Sequence, residues 1–240
     1  MDGQAVERIA ELAKQNMTIA MPDGIYSRES FTKVEPPVHH PITLVMTTLS
    51  SFVSLIKENP QKFDLEGAVV TIDKDFAVNL LSPPRQDGYM DCYASTKSLI
   101  LPFQFGNWYG MSSFTIALLT LFVQDEKLMD LFGLMQEIRI EDGVTMKDNG
   151  KSITVTTRSG VSAASDETRQ VPSIVKLRPY RYFPEAEQVE VPLLLRLEKS
   201  EDYGVRISLH ECDGKAWRVE AYQAIERQLN ELGCPLPIYY

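Results

Sequence analysis

Phe114-Thr-Ile-Ala-Leu-Leu-Thr-Leu-Phe-Val123 carries no charge in ten residues. Whatever buries this run decides the class of the protein. A helix that crosses a bilayer needs about 20 apolar residues. The run is far shorter, and Gln124-Asp-Glu-Lys127 closes it with charge. The economical reading is a core helix over 112–123. A second helix follows over 125–137, with Leu128, Leu131, Phe132 and Met135 at helical spacing. Upstream, the aromatic turn formed by Phe103, Phe105, Trp108 and Tyr109 leads into this pair.

Working outward, the pattern alternates between helix and strand without regular βα units. Val6, Ile9, Ala10, Ala13 and Met17 predict an amphipathic helix over 4–17. Prolines punctuate residues 22–46, an extended connector with little periodicity. Leu49, Phe52, Val53 and Ile56 give a helix over 47–58, stopped by Asn59-Pro60. Gly67–Leu81 reads as two strands around Asp73-Lys-Asp75, and Pro83–Gly88 as a turn. Tyr89–Ala94 and Ser98–Leu101 are strand-like. Two alternating runs flank Asn149-Gly150, the signature of a two-residue type I′ hairpin. Ser159–Thr168 is small and polar and reads as a loop.

Strands are expected over Val171–Leu177, Val189–Leu197 and Gly204–Leu209, with Pro172 and Pro192 near strand starts or an edge. A last helix runs from Asp213-Gly214 to about 232, ended by Gly233 and two prolines, and Ile238-Tyr-Tyr240 is apolar enough to dock. Strands joined by short turns imply antiparallel pairing. The expected fold is α+β: an antiparallel sheet flanked by helices, with amphipathic helices at both ends, in one domain over 1–240.

Composition narrows the function. A net charge of −9 argues against a non-specific nucleic-acid binder but leaves room for a local basic groove. Three scattered cysteines make no disulfide framework and suit a reducing compartment. The first residues lack the basic head and apolar run of a signal peptide. The sequence carries no glycine-rich phosphate loop, no nucleophile elbow and no HExxH. No metal, cofactor or catalytic residue is therefore expected.

Several clusters invite chemistry, each with a plainer reading. His39-His40 points two imidazoles to opposite sides of an extended chain, a poor chelate. His210-Glu-Cys212-Asp213 could pair a thiol with a base, or simply end a strand with a capping Asp213. Asp73 and Asp75 could act as acid and base or bind a divalent ion, or tip a turn. The strongest candidate is Lys176-Leu-Arg178-Pro-Tyr180-Arg181-Tyr182-Phe183-Pro184. Its Arg178, Tyr180, Arg181 and Tyr182 could stack a base and neutralise phosphate, or anchor a protein interface. They could also pack inward with their cations snorkelling out. Trp108 and Tyr109 are candidate contacts or packing pivots.

The order Tyr89-Met-Asp91-Cys-Tyr93, Pro102, Trp108, then Met111 with Phe114 opening a helix, resembles the YfdQ-like family of phage and prophage proteins of unknown function. Asn149-Gly150, Val171-Pro172, Pro179-Tyr180, Leu195-Arg196-Leu197 and the opening Met1-Asp2-Gly3-Gln-Ala5-Val6 agree in order, while Cys92 and Ala94 depart from the pattern. The resemblance implies a phage or prophage origin and supplies no catalytic residues. With the composition, it leads to the expectation of a non-enzymatic accessory protein in the host cytoplasm. It would bind a host protein or small ligand, counter host defence, form a homo-oligomer and make no membrane contact. Nucleotide or single-stranded nucleic-acid binding is the alternative.

Overall fold

The computed structural model describes residues 7, 18–21, 24–27, 40–139, 145–148, 152–158, 166–200 and 204–240. The chain divides into two compact units, Met1–Pro41 and Ile42–Tyr240. In the first, β1 (Thr18–Met21) and β2 (Gly24–Ser27) pair antiparallel, with Met21 opposite Gly24. Strand β2 thus lies within the stretch expected to be an extended connector. The expected helix over 4–17 lies outside the described residues except at Glu7, which is helical.

The second unit opens with β3 (Leu44–Met46) and helix α1 (Leu49–Glu58). Leu49, Phe52, Val53 and Ile56 are the buried face of α1, as their spacing predicts. Thr48 caps the helix by accepting from the Ser51 N–H at 3.3 Å. Asn59 ends it in the left-handed region at φ 40 and clamps the exit, donating to the Phe63 carbonyl and accepting from the Phe63 N–H. β4 (Val69–Ile72), β5 (Val78–Leu81) and β6 (Cys92–Thr96) form an antiparallel meander. β3 joins β6 in parallel, and the final strand β14 (Ile238–Tyr239) joins β4 in parallel, giving the order β14-β4-β5-β6-β3.

Ser98–Leu101 forms no strand. Leu99 and Leu101 are 79% and 80% exposed, so their alternation has no core to face. Instead the Ser98 hydroxyl donates to the Tyr182 carbonyl at 3.4 Å and accepts from the Ile100 N–H at 3.2 Å. A short β7 (Tyr109–Gly110) then leads into α2 (Met111–Leu121). Phe114, Thr115, Ala117 and Leu118 of the charge-free run are buried, and Phe122 is fully buried beyond the helix end. The helix stops at Leu121 because Phe122 bridges to Pro179. The Val123 N–H reaches the Arg178 carbonyl, and the Tyr180 N–H the Leu121 carbonyl. Tertiary pairing overrides local helix propensity there. Asp125 starts α3 (Glu126–Arg139) by accepting from the Leu128 N–H at 3.0 Å. Leu128, Leu131 and Met135 are buried, while Phe132 is half-buried.

β8 (Thr145–Asp148), β9 (Ser152–Arg158) and β10 (Asp166–Pro172) form a three-stranded antiparallel sheet. Asp148 pairs with Ile153, and the Asn149-Gly150 turn expected between these strands lies outside the described residues. Asp166–Thr168, expected in a loop, belong to β10, and 159–165 lie outside the described residues. Through Ser173, β10 passes into β11 (Ile174–Leu177), the edge of the antiparallel sheet β11-β12-β13-β7. Its long central pair is β12 (Val191–Ser200) and β13 (Gly204–Glu211). Helix α4 (Trp217–Glu231) buries Trp217, Ala221, Ala224, Ile225 and Leu229 and lies against α1. Gly233, at φ 77, takes the left-handed exit that glycine permits. The fold is α+β, with antiparallel strand pairs flanked by helices. No helix among the described residues is long and apolar enough to cross a membrane.

Candidate functional site

The loop between β11 and β12 is held by its own side chains. The Tyr182 hydroxyl donates to the Glu187 carbonyl at 2.5 Å and accepts from the Val189 N–H at 3.1 Å. Buried Gln188 donates to the Phe183 and Ala186 carbonyls and accepts from the Arg181 N–H. Glu185 reaches out to the start of α1, accepting from Leu49 N–H at 2.6 Å and Ser50 N–H at 3.0 Å. A carboxylate at a helix N-terminus satisfies orphan donors and complements the dipole. Burial pushes the Tyr182 phenol up to about 12.

This rigid loop places Arg181 in an unusual seat. Its guanidinium carbon lies 3.9 Å from the Trp217 ring centroid and 4.8 Å from that of Phe105. The side chain is only 7% exposed. Nη1 pairs with Glu211 Oε1 at 2.6 Å, and Nε and Nη2 have no hydrogen-bond partner among the described residues. Trp217 Nε1 donates to the same Glu211 oxygen at 3.1 Å. Burial lowers the Arg181 pKa, with Glu211 acting in the opposite sense. A buried cation with unfilled donors costs stability. Such groups repay explanation in functional terms.

Arg181 and Tyr182 line a cleft of about 390 Å³ with Lys74, Asp75, Phe76, Lys97, Ser98, Ile100, Pro102 and Arg218. Among the described lining residues four cations face one carboxylate, in a chain with 33 acidic and 24 basic residues. The cleft thus concentrates positive charge against the net trend. Phe76 holds a left-handed φ of 61, strained for a bulky residue, a cost of roughly 1–3 kcal/mol. Asp73 stabilises that turn, one carboxylate oxygen accepting from both the Asp75 and Ala77 N–H groups. Arg218 pins the turn to α4. It sits 4.6 Å from the Phe76 ring centroid and donates to the Lys74 carbonyl.

The sequence candidates do not form one surface. Arg181 and Tyr182 share the basic cleft, with Tyr182 fully buried. Arg178 lines a second cleft of about 410 Å³ with Glu187, Glu190, Glu220 and Arg227. Charges there are matched: Arg178 faces Asp125 at 3.9 Å, Arg227 faces Glu187 at 3.7 Å, and Lys127 pairs with Glu190. Tyr180 is half-buried, its N–H bonded to the Leu121 carbonyl. Tyr109 stacks on Phe103 at 5.0 Å in an aromatic cluster that includes Phe105, Phe114 and Phe122. Trp108, 39% exposed, lies under Arg206.

The other clusters serve the fold. Asp213 accepts from the Lys215 and Trp217 N–H groups at the start of α4. The Cys212 thiol donates to the Pro192 carbonyl, and His210 contacts the Ser208 hydroxyl at 3.1 Å. His40 is exposed, and His39 lies outside the described residues. No group of three metal-ligating side chains comes together among the described residues.

Lys74, Lys97 and Arg218 escape a sequence reading because they come from a turn, the segment after β6 and a helix. The Arg-Tyr pair at 181–182 is the local signal that marks the site. Comparison of the chain with family models, curated proteins and solved structures gave no match.

Proposed function

We propose that this protein works by binding, and that the basic cleft holds a small anionic ligand. The carrying observation is Arg181: a buried, ring-clamped cation with unfilled donors, lining a cleft that also presents Lys74, Lys97 and Arg218. The cleft's volume falls within the range of small-molecule sites. Its bounded size and the acidic chain favour a small ligand over a polynucleotide. Non-enzymatic action is supported by the engagement of Asp73, Cys212 and Asp213 in local structure. The resemblance to phage proteins gives the setting: an accessory protein that counters a host activity by holding a small host molecule.

Thermal unfolding with a panel of anions tests the reading. At a hundredfold excess over Kd, a ligand specific for the folded chain adds about 2.7 kcal/mol. For a chain of this size that is roughly 5–10 °C in Tm. A shift with inorganic phosphate or a nucleoside monophosphate, lost in K97A/R218A, is expected. No shift with any anion refutes it.

A further inference from the structure

Resting on the anion-binding reading of the same cleft, we propose that its specific ligand is a phosphate monoester, with Arg181 gripping the terminal phosphate. The first argument is charge. Lys74, Lys97 and Arg218 oppose Asp75 among the described lining residues, while Glu211 and Asp213 already act on Arg181. Three positive charges less one negative leave an excess of about two in the lining beyond Arg181. A terminal phosphate near neutral pH carries roughly −1.5 to −2, whereas a carboxylate or diester brings one charge.

The second argument is donor count. Arg181 keeps Nε and Nη2 unfilled, the two adjacent donors that grip a planar pair of oxygens. A carboxylate meeting that fork spends both its oxygens there. A phosphate monoester has a third terminal oxygen for Lys97 or Lys74. The rings of Trp217 and Phe105 hold the guanidinium plane in advance, so little rotamer freedom is lost on binding.

The third argument is shape. Ile100, Pro102 and Tyr182 supply apolar lining beside the cations, room for the organic part of an ester rather than for phosphate alone. Nε and Nη2 are buried, so a ligand reaches them only through a local opening of the cleft lining. That motion is the conformational part of binding.

Calorimetric titration of the full chain with phenyl phosphate, inorganic phosphate, sulfate, acetate and diphenyl phosphate tests the proposal. Phenyl phosphate should bind at least tenfold more tightly than sulfate, acetate and the diester. R181K keeps the charge but loses the fork. It should cost phenyl phosphate tenfold or more and erase its advantage over sulfate. A second readout needs no variant. No histidine is among the described residues that line the cleft. A phosphate monoester dianion takes up a proton near pH 6 and drops to a single charge, so its affinity should fall about tenfold from pH 7 to 5 while that of sulfate does not. Equal binding of sulfate or diester overturns the monoester assignment and leaves the anion reading standing. Unchanged affinity in R181K overturns the role of Arg181. Absence of binding by every anion overturns both.

Discussion

Replacing Arg181 with Met separates a structural cation from a functional one. Removing one partner of a fully buried ion pair costs about 3–5 kcal/mol, and of an exposed pair below about 1. Arg181 is 7% exposed and Glu211 27%, and Glu211 keeps its bond from Trp217. R181M should therefore lose about 2 kcal/mol, cation–π contacts included. E211Q, which strands the cation but keeps an acceptor for Trp217, should lose a similar amount. Together the two changes remove both charges and the buried guanidinium nitrogens. Methionine fills the slot between the rings. The double variant should lie within about 1 kcal/mol of wild type, a coupling of about 3 kcal/mol. Urea unfolding of the four proteins at constant m measures this. The expected signature is a double variant that is nearly as stable as wild type and has lost anion binding. If the double variant loses about 4 kcal/mol, the sum of the singles, Arg181 is a structural element and its unfilled donors carry no functional meaning.

Other residues give independent tests. E185A removes two charge-assisted bonds to the start of α1 and should cost about 2 kcal/mol, with E185Q costing about half, measured by thermal unfolding. A loss below about 0.5 kcal/mol would show that Thr48 alone caps the helix. Tyr182 has its pKa raised in the fold to about 12, against about 10 unfolded. Its contribution is therefore fully present below pH ~10 and lost as pH rises through ~12, a change of roughly 2–3 kcal/mol. Y182F should lose less stability than wild type over that window, and equal losses would contradict the assignment. F114A, at a fully buried position in the charge-free helix, should lose about 3–5 kcal/mol in urea unfolding.

Helix faces were legible because burial imposes a period that composition cannot hide: Leu49, Phe52, Val53 and Ile56 mark α1, and Trp217 to Leu229 mark α4. The β4–β5 hairpin was legible for the same reason. Ser98–Leu101 misled because alternation identifies a strand only if one face finds a core, and here Leu99 and Leu101 face solvent. The end of α2 was set from a distance, by pairing of Phe122 with Pro179. So was the cap of α1, supplied by Glu185 from 136 residues away. The candidate site was half visible. Interleaved basic and aromatic residues flagged Arg181 and Tyr182, but nothing local says that Arg178 faces another cleft. Nor does the sequence announce that Lys74, Lys97 and Arg218 converge.

The most direct test of the central claim is a crystal structure of the protein soaked with phenyl phosphate. The phosphate should lie within hydrogen-bond distance of Arg181 Nε or Nη2 and of Lys97, with the cleft lining opened around it. Phosphate in the cleft beside Arg178 and Arg227, or an Arg181 still without a ligand at saturating concentration, would contradict it.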